Sequence, residues 1–130
     1  MIIAAANGHT AVMQSLLADG ASVDLATVVG TTPLMTAAAG GHDEIVEIFL
    51  AHGADIRRTT TEGGNALMFP AQNGHLSTVK LLIEKGADAD HAMNNGRTAL
   101  NFALERMVLR RVQRDFFLLD EDGDKEPDDE

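Results

Sequence analysis

Cysteine is absent from the 130 residues, which excludes disulfides, thiolate metal sites and a cysteine nucleophile together. Tryptophan and tyrosine are missing too, so five phenylalanines make up the whole aromatic complement of 4%. A hydrophobic fraction of 45% is enough for a core. Drawn mostly from alanine, leucine, valine and isoleucine, it suits closely packed helices better than a β-sandwich. No apolar run approaches the roughly 18 residues of a membrane span. The opening stretch, MIIAAANGH, carries no basic segment of the kind that begins a signal peptide. An intracellular protein, cytoplasmic or nuclear and with no membrane contact, is expected. The chain also lacks a phosphate-cradling G-x-x-x-x-G-K-[ST], an H-E-x-x-H zinc helix and a G-x-S-x-G elbow. Neither catalysis, a cofactor nor a small-molecule substrate is expected.

Charge is present but unevenly placed. Of the net −10, residues 115–130 hold −8, from nine carboxylates and Lys125, which leaves −2 for the first 114 residues. Such segregation implies a near-neutral folded body followed by an acidic tail.

What the body does have is a period. Gly8-His9 returns as Gly41-His42 and Gly74-His75; Gly20-Ala21 returns as Gly53-Ala54 and Gly86-Ala87; Gly30 returns as Gly63 and Gly96. Apolar positions keep the same step of 33, as in Met13, Val46, Val79 and in Leu16, Phe49, Leu82. Within one unit, Thr32-Pro33 opens a helix: the threonine accepts an orphan N–H and the proline sits at the first helical position. Ala37, Ala38 and Ala39 keep that helix slim, and Gly40-Gly41 closes it with a left-handed cap. Asn65 and Thr98 occupy the capping position in the next units. A second helix follows, DEIVEIFLAH and then LSTVKLLIEK, with apolar residues at i, i+3 and i+4 spacing. The Gly30, Gly63 and Gly96 segments read as turns.

A 33-residue step with TPLM-T-A at its head resembles the ankyrin repeat and its T-P-L-H-x-A motif. The resemblance implies an all-α solenoid of stacked helix–turn–helix units with hairpin-like loops, spanning 1–119. The units fall at about 1–26, 27–59, 60–92 and 93–119, with a disordered acidic tail over 120–130. It implies a non-catalytic scaffold or adaptor, monomeric, that binds a protein partner through hairpin tips and the outward positions of each first helix. Carried over by position, these are Val28, Val29, Thr31 and Thr36; then Thr61, Glu62, Phe69 and Gln72; then Asn94, Asn95, Arg97, Phe102 and Glu105. Val28, Val29 and Phe69 stand out as hot-spot candidates, because an exposed apolar rim residue is poorly explained by solvation; the competing role is packing between adjacent loops.

Departures from the pattern raise their own expectations. Met35, Met68 and Asn101 replace the motif histidine, which in the family ties adjacent loops, so a looser array is expected. Pro70 falls inside the third unit's first helix, where a kink or early distortion is expected. The chain starts mid-unit, without a Thr-Pro cap, which suggests a frayed end or a piece of a longer array, and with it a regulatory segment of a larger enzyme or channel. In the last unit Met107-Val108 replaces Gly-His. Either one long helix forms, with Leu100, Leu104, Val108 and Val112 on a stripe, or a shortened second helix follows a tight turn.

Three constellations imitate chemistry. His9, His42 and His75 form a ladder, but stacked helices lie ~8–10 Å apart, too far for one ion to gather ligands at ~2.1 Å; His52 and His91 read as solvated. Asp120, Asp122 and Asp124 copy positions one, three and five of an EF-hand loop, yet Lys125 takes the glycine position and the bidentate glutamate is missing. Residues 97–114 carry Arg97, Arg106, Arg110, Arg111 and Arg114 against Glu105 alone, which makes a nucleic-acid surface the remaining alternative. No aromatics interleave with these arginines, and the adjacent acidic tail repels phosphate. A solvated helix face is the favoured reading, and the sharper alternative is that the tail folds back transiently over the arginine face and shields it. Deleting residues 120–130 should therefore raise affinity for heparin at low salt; an unchanged heparin elution would contradict this.

Overall fold

In the computed structural model, residues 4–5 and 7–122 are described, with side chains to residue 115. Most of the acidic tail, 123–130, lies outside the described residues, as do Met1, Ile2 and Ile3. Six helices are named: α1 (Thr10–Ala18), α2 (Pro33–Ala39), α3 (Asp43–Ala51), α4 (Met68–Asn73), α5 (Leu76–Glu84) and α6 (Ala99–Asp122). The helices form two parallel rows. First helices stack as α2, α4 and α6, second helices as α1, α3 and α5, and every substantial helix contact joins a layer to itself or to its neighbour. The core lies between the rows. Phe49, Met13, Leu34, Ile45, Val46, Leu67 and Leu82 are buried there, each contributing about 1.5–3 kcal/mol by leaving water.

Local chemistry sets the ends of the helices. Thr32 is extended, and its hydroxyl accepts the Met35 N–H at 3.2 Å. In return the Met35 sulfur accepts the Thr32 N–H at 3.4 Å, so the residue replacing the motif histidine completes a capping box with sulfur. At the far end the His42 N–H reaches the Ala37 carbonyl and the Gly41 N–H the Ala38 carbonyl, both at 3.0 Å. This paired closure needs a left-handed residue, and Gly41 has φ +71°. The same pair recurs as His9 to Ala4 and His75 to Pro70. A single rule therefore ends the first helix of each of the first three units.

The third unit differs from the second in two ways. Of the two outcomes expected at Pro70 it shows the early distortion and not the kink: α4 begins at Met68, two residues later in the repeat than α2, which puts Pro70 in the first turn where N–H groups have no intrahelical partner anyway. Asn65 does not cap either: its amide donates to the Asp88 carbonyl at 3.1 Å, and residues 66–67 form a turn. The buried Pro70 ring is kept at the expense of two residues of helix.

The histidine ladder has a packing role. His42, at the start of α3, lays its ring against Gly8, and His75 lays its ring against Gly41; a β-carbon on either glycine would come within 3 Å of the ring. In the last unit the guanidinium of Arg106 fills the equivalent slot over Gly74. His91 is not solvated as expected. It is partly buried, with Nε2 at 2.8 Å from the Gly63 carbonyl. Side chains also bridge layers: Asp43 accepts from Ser77 at 2.8 Å and from the buried Thr78 hydroxyl, and Asn73 donates to the Ala39 carbonyl at 2.8 Å.

Of the two outcomes open for the last unit, the single helix is the one formed. Thr98 and Asn101 cap it reciprocally, Thr98 N–H to Asn101 Oδ1 at 2.8 Å and Asn101 N–H to Thr98 Oγ1 at 3.4 Å. No glycine or proline then interrupts it before Asp122. Its first turns pack on α4; farther along, Leu104, Met107, Val108, Leu109 and Val112 are exposed. Among the described residues no helix is long and apolar enough to cross a membrane.

Gly41→Ala should lower stability in urea by about 2–3 kcal/mol, combining left-handed strain of roughly 1–2 kcal/mol with displacement of His75. Gly53 has φ +88° but open space around it, so Gly53→Ala should lose only the strain, about 1 kcal/mol. Equal losses would remove the ring contact from the account.

Candidate interaction groove

Three loops project beside the helices, and each is built the same way. In 27–31 the Thr27 N–H bonds the Thr31 carbonyl and the Gly30 N–H the Thr27 carbonyl, both at 2.9 Å. In 60–64 the partners are Thr60 with Gly64 and Gly63 with Thr60; in 93–97 they are Met93 with Arg97 and Gly96 with Met93. Gly30, Gly63 and Gly96 each have φ +87°, a conformation with little penalty only for glycine. The hairpins then join edge to edge: Thr61 N–H to the Val29 carbonyl and Asn94 N–H to the Glu62 carbonyl, each at 2.9 Å. The loops are thus tied through their backbones without the motif histidine.

Between these loops and the first helices runs a groove of about 340 Å³. Seven residues expected at the partner surface line it: Val29, Thr31, Thr61, Glu62, Phe69, Gln72 and Phe102. Phe69 and Phe102 are half-buried against the core, so each shows the groove only part of its ring. Val29 is 52% exposed. The lining offers apolar contact, threonine hydroxyls, the Gln72 amide and one carboxylate, Glu62, but no histidine.

The other expected residues are placed differently. Val28 stands at a hairpin tip with 98% of its surface exposed, so it does not pack between loops. Thr36 donates its hydroxyl to the Thr32 carbonyl at 3.2 Å within its own helix. Asn94 donates to the Thr61 carbonyl at 3.1 Å, and Asn95 Oδ1 accepts the Arg97 N–H at 3.0 Å; these side chains hold the loop's shape. The Arg97 guanidinium lies 4.3 Å above the Phe102 ring centroid and pairs with Glu105, flattening that ring against the groove's end.

Met68, Met93 and Arg106 were not anticipated. The two methionines line the groove, and their signal was the substitution itself: Met68 stands at the motif-histidine position and Met93 where earlier units have Thr27 and Thr60. Arg106 donates to the Gln72 carbonyl at 3.4 Å. Its signal was the missing histidine at Val108, which leaves the slot above Gly74 without its usual ring.

The profile described as ankyrin repeats, three copies, matches residues 1–60 and again 52–114. The chain belongs to the ankyrin-repeat family. Ankyrin repeats generally mediate protein–protein interaction, and the helical solenoid is the architecture expected of them. A search of curated proteins found no match.

Arg97 and Glu105 keep 36% and 60% of their side-chain surface in water, so their ankyrin-groove ion pair is of the weak surface kind. A double-mutant cycle with Arg97→Gln and Glu105→Gln should give a coupling of about 0.2–1 kcal/mol that fades in molar salt. A coupling above ~2 kcal/mol would mean a desolvated pair.

Proposed function

We propose that this ankyrin-repeat chain is a non-catalytic scaffold or adaptor domain that captures a protein partner on its loop tips and groove. The main support is the groove itself: three successive hairpins and two first helices leave Val29, Phe69 and Phe102 partly open to solvent along one continuous trough. Apolar side chains left half-exposed in a rigid, hydrogen-bonded frame are the usual anchors of protein recognition. The exposed Val28 extends this surface to the rim. Site residues on this reading are Val28, Val29, Thr31, Thr61, Glu62, Phe69, Gln72 and Phe102. Asn94, Asn95, Arg97 and Glu105 shape the groove's edge, and Thr36 supports its helix. An intracellular setting accords with a chain that carries no cysteine.

Combined Val28→Asp and Phe69→Asp should abolish partner capture while far-ultraviolet circular dichroism stays unchanged. Loss of helical signal would instead assign Phe69 to the core, and retained capture would move the partner off this face.

A further inference from the structure

The groove does not stop at Phe102. Gln72 and Phe102 also line a second depression of about 420 Å³ that runs on past Arg106 to Arg110; its one carboxylate, Glu105, is paired with Arg97 in the same lining. Arg110 in turn lines a third, of about 380 Å³, with Arg111 and Arg114. Phe102, Arg106, Arg110 and Arg114 recur every fourth residue of α6, a step of ~6 Å along the helix. An extended peptide places every second side chain on one face, ~6.6–6.8 Å apart. Three steps cover ~18 Å on the helix and ~20 Å on the peptide, and the row winds about the helix by ~40° per step, so a bound peptide follows it only by curving with it. No ion pair to a described carboxylate engages Arg106, Arg110 or Arg114; Arg106 donates once, to the Gln72 carbonyl, and a guanidinium has five donors.

Resting on the groove reading above, we propose that the partner is an extended acidic peptide. One aliphatic side chain seats between Phe69 and Phe102, and carboxylates at alternate positions follow along Arg106, Arg110 and Arg114. Charge complementarity selects this occupant: the row presents three guanidiniums, and carboxylates pair with them through charge-assisted hydrogen bonds. Nucleic acid is disfavoured. The row begins on an apolar floor suited to an aliphatic side chain, which a sugar–phosphate backbone does not supply, while the −8 carried by residues 115–130 opposes every anion and so favours a short ligand of few charges. Screening over ~8 Å at physiological salt confines the attraction to the row itself.

The test is fluorescence anisotropy of the full chain with four labelled probes. They are a heptapeptide of leucine followed by serine-spaced glutamates, its glutamine analogue, an isomer with the three glutamates contiguous, and oligothymidylate of equal charge. The spaced acidic peptide should bind about tenfold more tightly than the glutamine analogue and better than the contiguous isomer. Arg110→Glu with Arg114→Glu should weaken it about tenfold, whereas Lys80→Glu with Lys85→Glu, the same change in net charge at exposed positions in and just after α5, should shift it less than twofold. Equal loss from both pairs would reduce the effect to bulk charge and overturn the proposal, as would tighter binding of oligothymidylate. If the glutamine analogue binds as well and Phe69→Asp abolishes it, the acidic class fails while the groove stands. If no peptide binds, the acidic-peptide assignment fails, and the capture experiment above remains the separate test of the groove.

Discussion

A layer of two short helices has more apolar surface than it can bury against itself, so each layer stays folded only by lying on the next. Phe49, Val46 and Ile45 of α3 are buried, but by helices that belong to three different units. The number of neighbours, more than any single contact, therefore governs stability, which accumulates from unit terms and interface terms along one dimension. The hydrogen bonds follow the same logic. Asp43 with Ser77 and Thr78, Asn73 with Ala39, and Thr61 with Val29 all join a unit to the one beside it.

This dependence on neighbours explains why small residues matter so much. Ala37 and Ala38 are fully buried because a larger side chain would push the α2 and α4 axes apart. Gly8, Gly41 and Gly74 end a helix and also leave the space that the next layer's ring or guanidinium enters. A position that satisfies a backbone torsion and an intermolecular-style contact at once has very few acceptable substitutes.

Features that repeat were legible from the chain alone. The capping by Thr32, the left-handed glycines and the turns at Gly30, Gly63 and Gly96 follow from residue chemistry at fixed spacing, whereas the seven residues that line the groove were placed by the family resemblance. What escaped depends on partners far along the chain. Asn65 matches Thr32 in position, yet the Asp88 carbonyl 23 residues away takes its amide. His91 looks isolated until the adjacent loop brings the Gly63 carbonyl to it. The penalty of Pro70 was readable, but its relief by a later helix start was not, because the alternative turn at 66–67 depends on tertiary packing. Met68, Met93 and Arg106 mark places where the repeat is broken, and a broken repeat reveals a difference without its purpose.

One consequence of the identical helix closures concerns how such a chain can change length. A duplication or deletion of 33 residues within the first three units joins a half-unit to its equivalent half and leaves the paired closure, the turn and the glycine slot in step. The trough would grow or shorten by one hairpin while its cross-section stayed the same. Genetic drift in unit number can thus tune the length of a recognised segment without redesigning how any part of it is held.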